Sequence, residues 1–195
     1  MEKFETLQAL LTLENGEEKN LRLTGKDDCK ILINENAKLQ LNLYLLSSID
    51  LVIVLQGEQA ILDLEIVDIG KNSSDHQCKV TTEHLSPYTT SKIIVKSVLY
   101  DQSRFNFSGN VKVPKIGQFT DAHLEHKTLL LSENAKTRTI PSMEIVANDV
   151  KVSHAATIGK IDEDILFYLA SRGFDKNEAE KFIVESFLGE FRYIK

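Results

Sequence analysis

From Leu10 to His154 apolar and polar residues alternate in short runs, broken every few positions by turn formers, which is the period-two signature of half-buried strands. The clearest run sets Leu39, Leu41, Leu43 and Leu45 against Lys38, Gln40, Asn42 and Tyr44, placing four leucines on one face. Further strands are predicted around 31–33, 49–55, 62–66 and 93–98, at Phe105 with Phe107, Val111 with Val113, Met143 with Ile145, and Val150 with Val152. Asn15-Gly16, between Leu13 and Leu21, has the chemistry of a two-residue hairpin, so antiparallel pairing is expected at the amino end alone. After Gly159 the period lengthens toward 3.6. Asp162 is placed to cap a helix carrying Ile165, Leu166 and Leu169, with Arg172 and the stop residue Gly173 at its end. Asp175 and Glu178 have capping-box spacing for a second helix, with Ala179, Phe182, Ile183 and Phe187 on one face.

No amphipathic helix separates the strands, which excludes a doubly wound α/β sheet and leaves a sandwich or a β-solenoid. Pattern alone leans to the commoner sandwich. The irregular spacing, and strands such as 51–55 that are apolar on both faces, favour the solenoid, although no repeat period is readable. A composition of 42% hydrophobic and 27% charged residues lies in the globular range, so the chain is expected to fold. Net charge is -6, and the 23 Lys and Arg residues are scattered, so no cationic footprint for nucleic acid or anionic lipid is present. The longest apolar run, Leu51 to Leu55, is far too short to span a bilayer, and Met1-Glu2-Lys3 leads into no signal-peptide core. A cytoplasmic protein is expected.

Candidate chemistry is sparse. Cys29 and Cys78 belong to no C-x-x-C pair and read as small buried hydrophobes rather than cluster ligands. Gly25-Lys26 and Gly70-Lys71 continue into Asp27 and Asn72, so neither opens a phosphate-binding loop, and any nucleotide hydrolysis belongs to another chain. His154 follows Val150 and Val152 on one strand face, the position of a core or rim histidine. Asp121, His123, Glu125 and His126 form a polar group with H-x-x-H spacing. On a strand the two histidines fall on opposite faces and cannot share a metal, so a solvated turn or strand edge is expected there. His76 and His84 lie in polar surroundings and are expected at the surface. No Ser/His/Asp order or paired-carboxylate signature supports an autonomous enzyme.

The carboxyl-terminal half adds a resemblance. Pro141-Ser142-Met143-Glu144-Ile145, Asn148-Asp149-Val150-Lys151-Val152-Ser153-His154-Ala155-Ala156-Thr157 and Tyr168-Leu169-Ala170-Ser171-Arg172-Gly173 follow one another in order. Phe107-Ser108-Gly109, Asp121-Ala122 and Leu129-Leu130-Leu131-Ser132 precede them, and Ala179 to Phe187 follows. In order and spacing this series resembles the SufB/SufD family, scaffold subunits of the SUF iron-sulfur cluster assembly machinery, and within it the SufD type. Residues 1 to about 100 carry no comparable signature. The resemblance implies a right-handed parallel β-helix over residues 1–159 and a short helical subdomain over 160–195. It further implies a non-enzymatic scaffold that pairs with a SufB-like subunit, or with itself as a sole minimal scaffold, and recruits a SufC-like ATPase through the helical end, where Tyr168, Arg172 and Phe174 form a docking knob. The apolar helix faces would pack on the last rung. By the same resemblance His154 takes part in building the cluster at the subunit interface and is the one metal-ligand candidate. Val152 stands where many relatives carry cysteine and Ala155 where glycine is usual, so the site is a partial one. No stably bound cofactor is expected, and at most a transient iron-sulfur cluster in the assembled complex. The rival readings are an enzyme built on a β-solenoid, which would need a carboxylate cluster on one strand face, and a structural solenoid without a metal role.

Overall fold

In the computed structural model, which describes residues 5–189, the chain runs through thirteen strands before two helices. Seven strands form one sheet in the order β1 (Glu5–Thr6), β3 (Glu18–Gly25), β5 (Lys38–Leu45), β7 (Ile61–Gly70), β9 (Thr90–Leu99), β11 (Asp121–Leu130) and β13 (Lys151–Lys160). Six form the other: β2 (Leu10–Leu13), β4 (Cys29–Ile33), β6 (Ile49–Leu55), β8 (Asp75–His84), β10 (Arg104–Val113) and β12 (Lys136–Ile145). Within each sheet a strand pairs in parallel with the one two places on, so every coil gives one strand to each sheet and the core lies between them. This is a two-sided parallel β-helix, the fold the resemblance implies, and the sandwich is set aside. The unreadable period has a simple cause in the lengthening coil: Leu10 pairs with Lys30, 20 residues on, whereas Thr90 pairs with Asp121, 31 residues on.

The four leucines of β5 all face inward and are buried, stacked against Leu62, Leu64 and Ile66 of β7 and facing Ile31, Ile33, Leu51, Ile53 and Leu55 of the other sheet. Each such side chain stabilises the fold by about 1.5–3 kcal/mol relative to exposure. The expected hairpin at Asn15-Gly16 does not form. That dipeptide is a corner that carries the chain from β2 in one sheet to β3 in the other, with Gly16 at φ 72° donating its N–H to Glu35 O one coil on. The same left-handed conformation recurs in successive coils at Asn36, Gln59, Tyr88 and Phe119, whose N–H groups bond to Glu58, Pro87, Gln118 and Asp149. Stacked corners, not strand reversal, use the positive φ, and at each non-glycine position it costs about 1–2 kcal/mol that the surrounding stack must offset.

Helix α1 (Glu163–Ser171) is capped by the Asp162 carboxylate, which accepts from Asp164 N, and α2 (Lys176–Leu188) carries the complete Asp175/Glu178 capping box. Val184 and Leu188, with Ile183 and Phe187, pack on Val67, Val98 and Leu129 together with Tyr44, Ile69 and Tyr100. These are outward positions on the seven-stranded sheet, so α2 lies across several coils instead of covering the last rung. It goes there because those strands carry apolar residues on both faces, and the outward set needs a cover. Phe182, predicted on the packed face, is 51% exposed.

Candidate functional site

With α2 on the side, nothing covers the carboxyl-terminal end of the solenoid among the described residues. β12 pairs only with β10 and β13 only with β11, leaving one free edge on each. No residue of either strand is buried, although inward neighbours one coil earlier are: Ala122, Leu124 and His126 on β11, Phe105, Phe107 and Val111 on β10. An unpaired parallel edge above an apolar floor is a template for another strand.

His154 sits in this open coil. Its register partner is Leu124, which faces the core, so the imidazole projects over the open interior. It is exposed and bonds to nothing among the described residues. The expectation of a core or rim histidine therefore resolves to an uncovered one. Val152, at the register of Ala122, is half-buried beside it. Leu124 reaches over Gly109, where a Cβ would collide with its side chain, and Gly109 pairs with Pro141; by register, Pro141 thus faces His154 across the mouth. Met143, Ile145 and Ile158 add apolar side chains that are 38%, 41% and 49% exposed.

The other histidines divide differently from expectation. His123 points outward from β11, with Nδ1 2.9 Å from Ser153 Oγ and Nε2 3.9 Å from Glu125. His126 points inward, so the two do lie on opposite faces, and no group of three or more His, Cys, Asp or Glu side chains suited to a metal forms among the described residues. The solvated turn or edge expected at this group is wrong for His126. It is buried against Phe105 and Phe107 and bonded to Thr139, Ser97 and Thr128 at 2.6, 3.2 and 3.1 Å, and burial pushes its pKa down to about 4. His84 is likewise not at the surface. It is fully buried between Thr89 Oγ1 at 2.9 Å and Ser91 Oγ at 3.0 Å, and burial lowers it to about 4. His76 is half-buried, its Nδ1 2.7 Å from the buried Asp68 carboxylate, whose hydrogen bond raises the imidazole pKa. Alternation carried the missed signal: His84 follows Val80 and Thr82, and His126 follows Ala122 and Leu124, at inward positions. Cys29 and Cys78 are free and buried, and burial raises both thiols, Cys29 to about 11.

At the helical end the Arg172 guanidinium lies over the Tyr168 ring, 5.2 Å from its centroid, and Phe174 packs against Phe182 at 5.8 Å. Arg172, Phe174, Glu178, Lys181, Phe182 and Glu185 line a shallow groove of about 340 Å³. On α1, Phe167 is 78% exposed and Ile165 is exposed as well. Tyr168 in the last turn of α1, and Arg172 and Phe174 in the connection that follows it, are thus all exposed. No helix among the described residues is long and apolar enough to cross a membrane.

The architecture is thus a parallel solenoid with an open, histidine-bearing terminal coil and a helical appendage. Residues 11–187 match the family described as SUF system FeS cluster assembly, SufBD core domain, and the chain belongs to that SufB/SufD family of iron-sulfur cluster assembly proteins. It is 32% identical over 136 residues to the iron-sulfur cluster assembly protein SufD of Escherichia coli K12, covering 70% of this chain and 32% of that protein. Against the iron-sulfur cluster assembly protein SufB of Bacillus subtilis 168 it is 32% identical over 140 residues, covering 71% and 30%. A SufBD family protein of Synechocystis is 34% identical over 121 residues, covering 62% and 26%. The chain thus spans no more than about a third of the length of these relatives.

Proposed function

We propose that this chain is a SufD-like scaffold subunit on which an iron-sulfur cluster is assembled as cargo, without catalysing a reaction of its own. The observation that carries the reading is the open coil: two free strand edges, an uncovered apolar interior and the unpartnered His154 imidazole coincide at one end of the solenoid. A SufB-like subunit adding its own edge strands would bury Met143, Ile145 and Ile158 and enclose His154. Imidazole is a borderline ligand suited to iron, and with Val152 in place of a thiol the remaining ligands must come from the partner. Transient cargo, not a resident cofactor, fits a site that one chain leaves incomplete. Tyr168, Arg172 and Phe174, beside the apolar groove, dock a SufC-like ATPase, which supplies the energy that this chain has no loop to harvest.

A second reading, a homodimer serving as sole scaffold, draws on the equal 32% identity to a SufD and to a SufB relative. Co-expression with SufB-like and SufC-like chains, followed by affinity purification and sedimentation, tests both. A heteromeric complex lost on Ile158→Glu supports the first reading, and a dimer of this chain alone lost on the same substitution supports the second. A monomer that ignores both partners overturns the proposal.

A further inference from the structure

His126 lies one coil below the mouth, and its bonds define a proton arrangement. Nε2 faces Ser97 Oγ at 3.2 Å and Thr128 Oγ1 at 3.1 Å, and those two hydroxyls are 2.7 Å from each other. One hydroxyl proton makes the bond between them. The other has Nε2 as its near acceptor, since the next oxygen, Thr137 Oγ1, stands 3.5 Å from Thr128, beyond the ordinary reach of an O–H donor. Nε2 therefore accepts, and the proton of the neutral ring sits on Nδ1. Nδ1–H then donates to Thr139 Oγ1, 2.6 Å away on β12. With its oxygen engaged as an acceptor, Thr139 keeps its own O–H proton unspent.

Where that proton points follows from the register. Thr139 pairs with Phe107, an inward residue, and is itself half-buried at the open coil. It faces His126, whose register partner on β13 is Ala156, two residues beyond His154. Thr139 and His154 therefore line the same mouth from opposite strands, with only the small Ala156 across from the hydroxyl.

Resting on the scaffold reading above, we infer that Thr139 is a second cargo-binding group, an O–H donor to an anionic sulfur atom, sulfide or thiolate, held next to the metal-binding imidazole. His126 is the positioning residue that aims it. The two residues divide the labour: His154 offers a lone pair to iron and Thr139 offers a proton to sulfur, while the aromatic rings of Phe105 and Phe107 fix the plane of His126.

The test has two arms. In the full chain, long-range 15N imidazole spectra should show His126 as a single Nδ1–H tautomer, its resonances displaced in Thr139→Val and restored in Thr139→Ser. An Nε2–H ring, a tautomer mixture, or a ring insensitive to Thr139→Val overturns the inference. In the complex purified with its co-expressed partners, ferrous iron and inorganic sulfide are added anaerobically and cluster absorbance is read in variants matched for melting temperature and complex recovery. Thr139→Val should lower the yield severalfold or shift the sulfur-to-iron charge-transfer bands, with Thr139→Ser recovering the parent values. Loss in His154→Ala without any change in Thr139→Val refutes the role of Thr139 and leaves the scaffold reading in place. No loss in either variant removes both.

Discussion

Acidification should destabilise this protein through two buried histidines, His84 and His126. His84 and His126 are buried as neutral imidazoles with pKa values pushed down to about 4, against 6.5 when exposed. Below pH 6.5 the unfolded chain takes up protons that the folded chain refuses, so stability falls as pH drops from 6.5 toward 4 and levels off beyond. At about 1.36 kcal/mol per pKa unit, each histidine can remove on the order of 3 kcal/mol over the whole window. Between pH 7.0 and 5.5 the loss is about 1 kcal/mol each, roughly 2 together. His76 works in the other direction. Its pKa is raised by Asp68, so its contribution is fully present below 6.5 and is lost as pH rises from there through the folded value; it partly offsets the other two between pH 7.0 and 6.5 and is nearly constant at lower pH. Urea unfolding followed by circular dichroism at pH 7.0 and 5.5 measures the difference directly. His84→Gln and His126→Gln replace the titrating ring with a neutral amide that retains a donor and an acceptor, and each should remove about half of the slope. A stability that is flat from pH 7.0 to 5.5, or glutamine variants with the full parental slope, would refute the reasoning.

Two further perturbations check the frame that holds the site. Gly109→Ala sets a Cβ against Leu124 and the Phe107 ring directly beneath the mouth, and should cost about 1–3 kcal/mol by thermal unfolding, with backbone shifts spreading into β12 and β13. Asp175→Ala removes the capping box of α2 and should cost about 0.5–2 kcal/mol, read as faster amide exchange over the first turns of that helix while the amides of β5 and β7 stay protected.

Element type was legible wherever side chains report burial by themselves. The leucine face of β5, the Asp162 cap and the Asp175/Glu178 capping box are local chemistry, and each appears where the pattern placed it. Pairing partners were not local. Asn15-Gly16 favours a left-handed turn in either a hairpin or a solenoid corner, and only the contact with Glu35, one coil away, decides between them. The cover of the seven-stranded sheet was hidden for a related reason: Val67, Val98 and Leu129 are unremarkable until register lines them up as one outward stripe. At the site, alternation correctly put His154 on the inward face, but whether an inward face is buried depends on the presence of the next coil, which no residue of the strand encodes. His84 and His126 were misplaced because polar neighbours outweighed the same alternation.

The interior of the solenoid changes character along its length, and the change falls on the side of its open end. From β4 to β6 the inward residues are leucine, isoleucine and Cys29, and such a core needs only volume. From β7 onward Asp68, His76, Thr82, His84, Ser91, Ser97, His126 and Thr128 enter the interior, each at a desolvation cost that side-chain hydrogen bonds offset at all but Thr82, whose Oγ1 has no partner among the described residues. A purely apolar interior would be at least as stable, so stability alone does not account for the polar set. What such groups add is fixed orientation, because a buried ring bonded at both nitrogens, like His84 or His126, has one position where an aliphatic side chain has several. In the coils next to the mouth those fixed positions determine where β12 and β13 lie, and therefore, on the proposed scaffold reading, how an incoming edge strand would meet them. The apolar coils anchor the structure and the polar coils aim its open end. If that division holds, equal losses of stability should have unequal consequences: Leu41→Ala in an apolar coil should leave partner affinity unchanged once folded fractions are equalised, whereas Ser97→Ala, which breaks the hydroxyl pair beneath His126, should weaken it. Equal affinities for the two variants in sedimentation titrations would show that the polar interior has no part in aiming the edge.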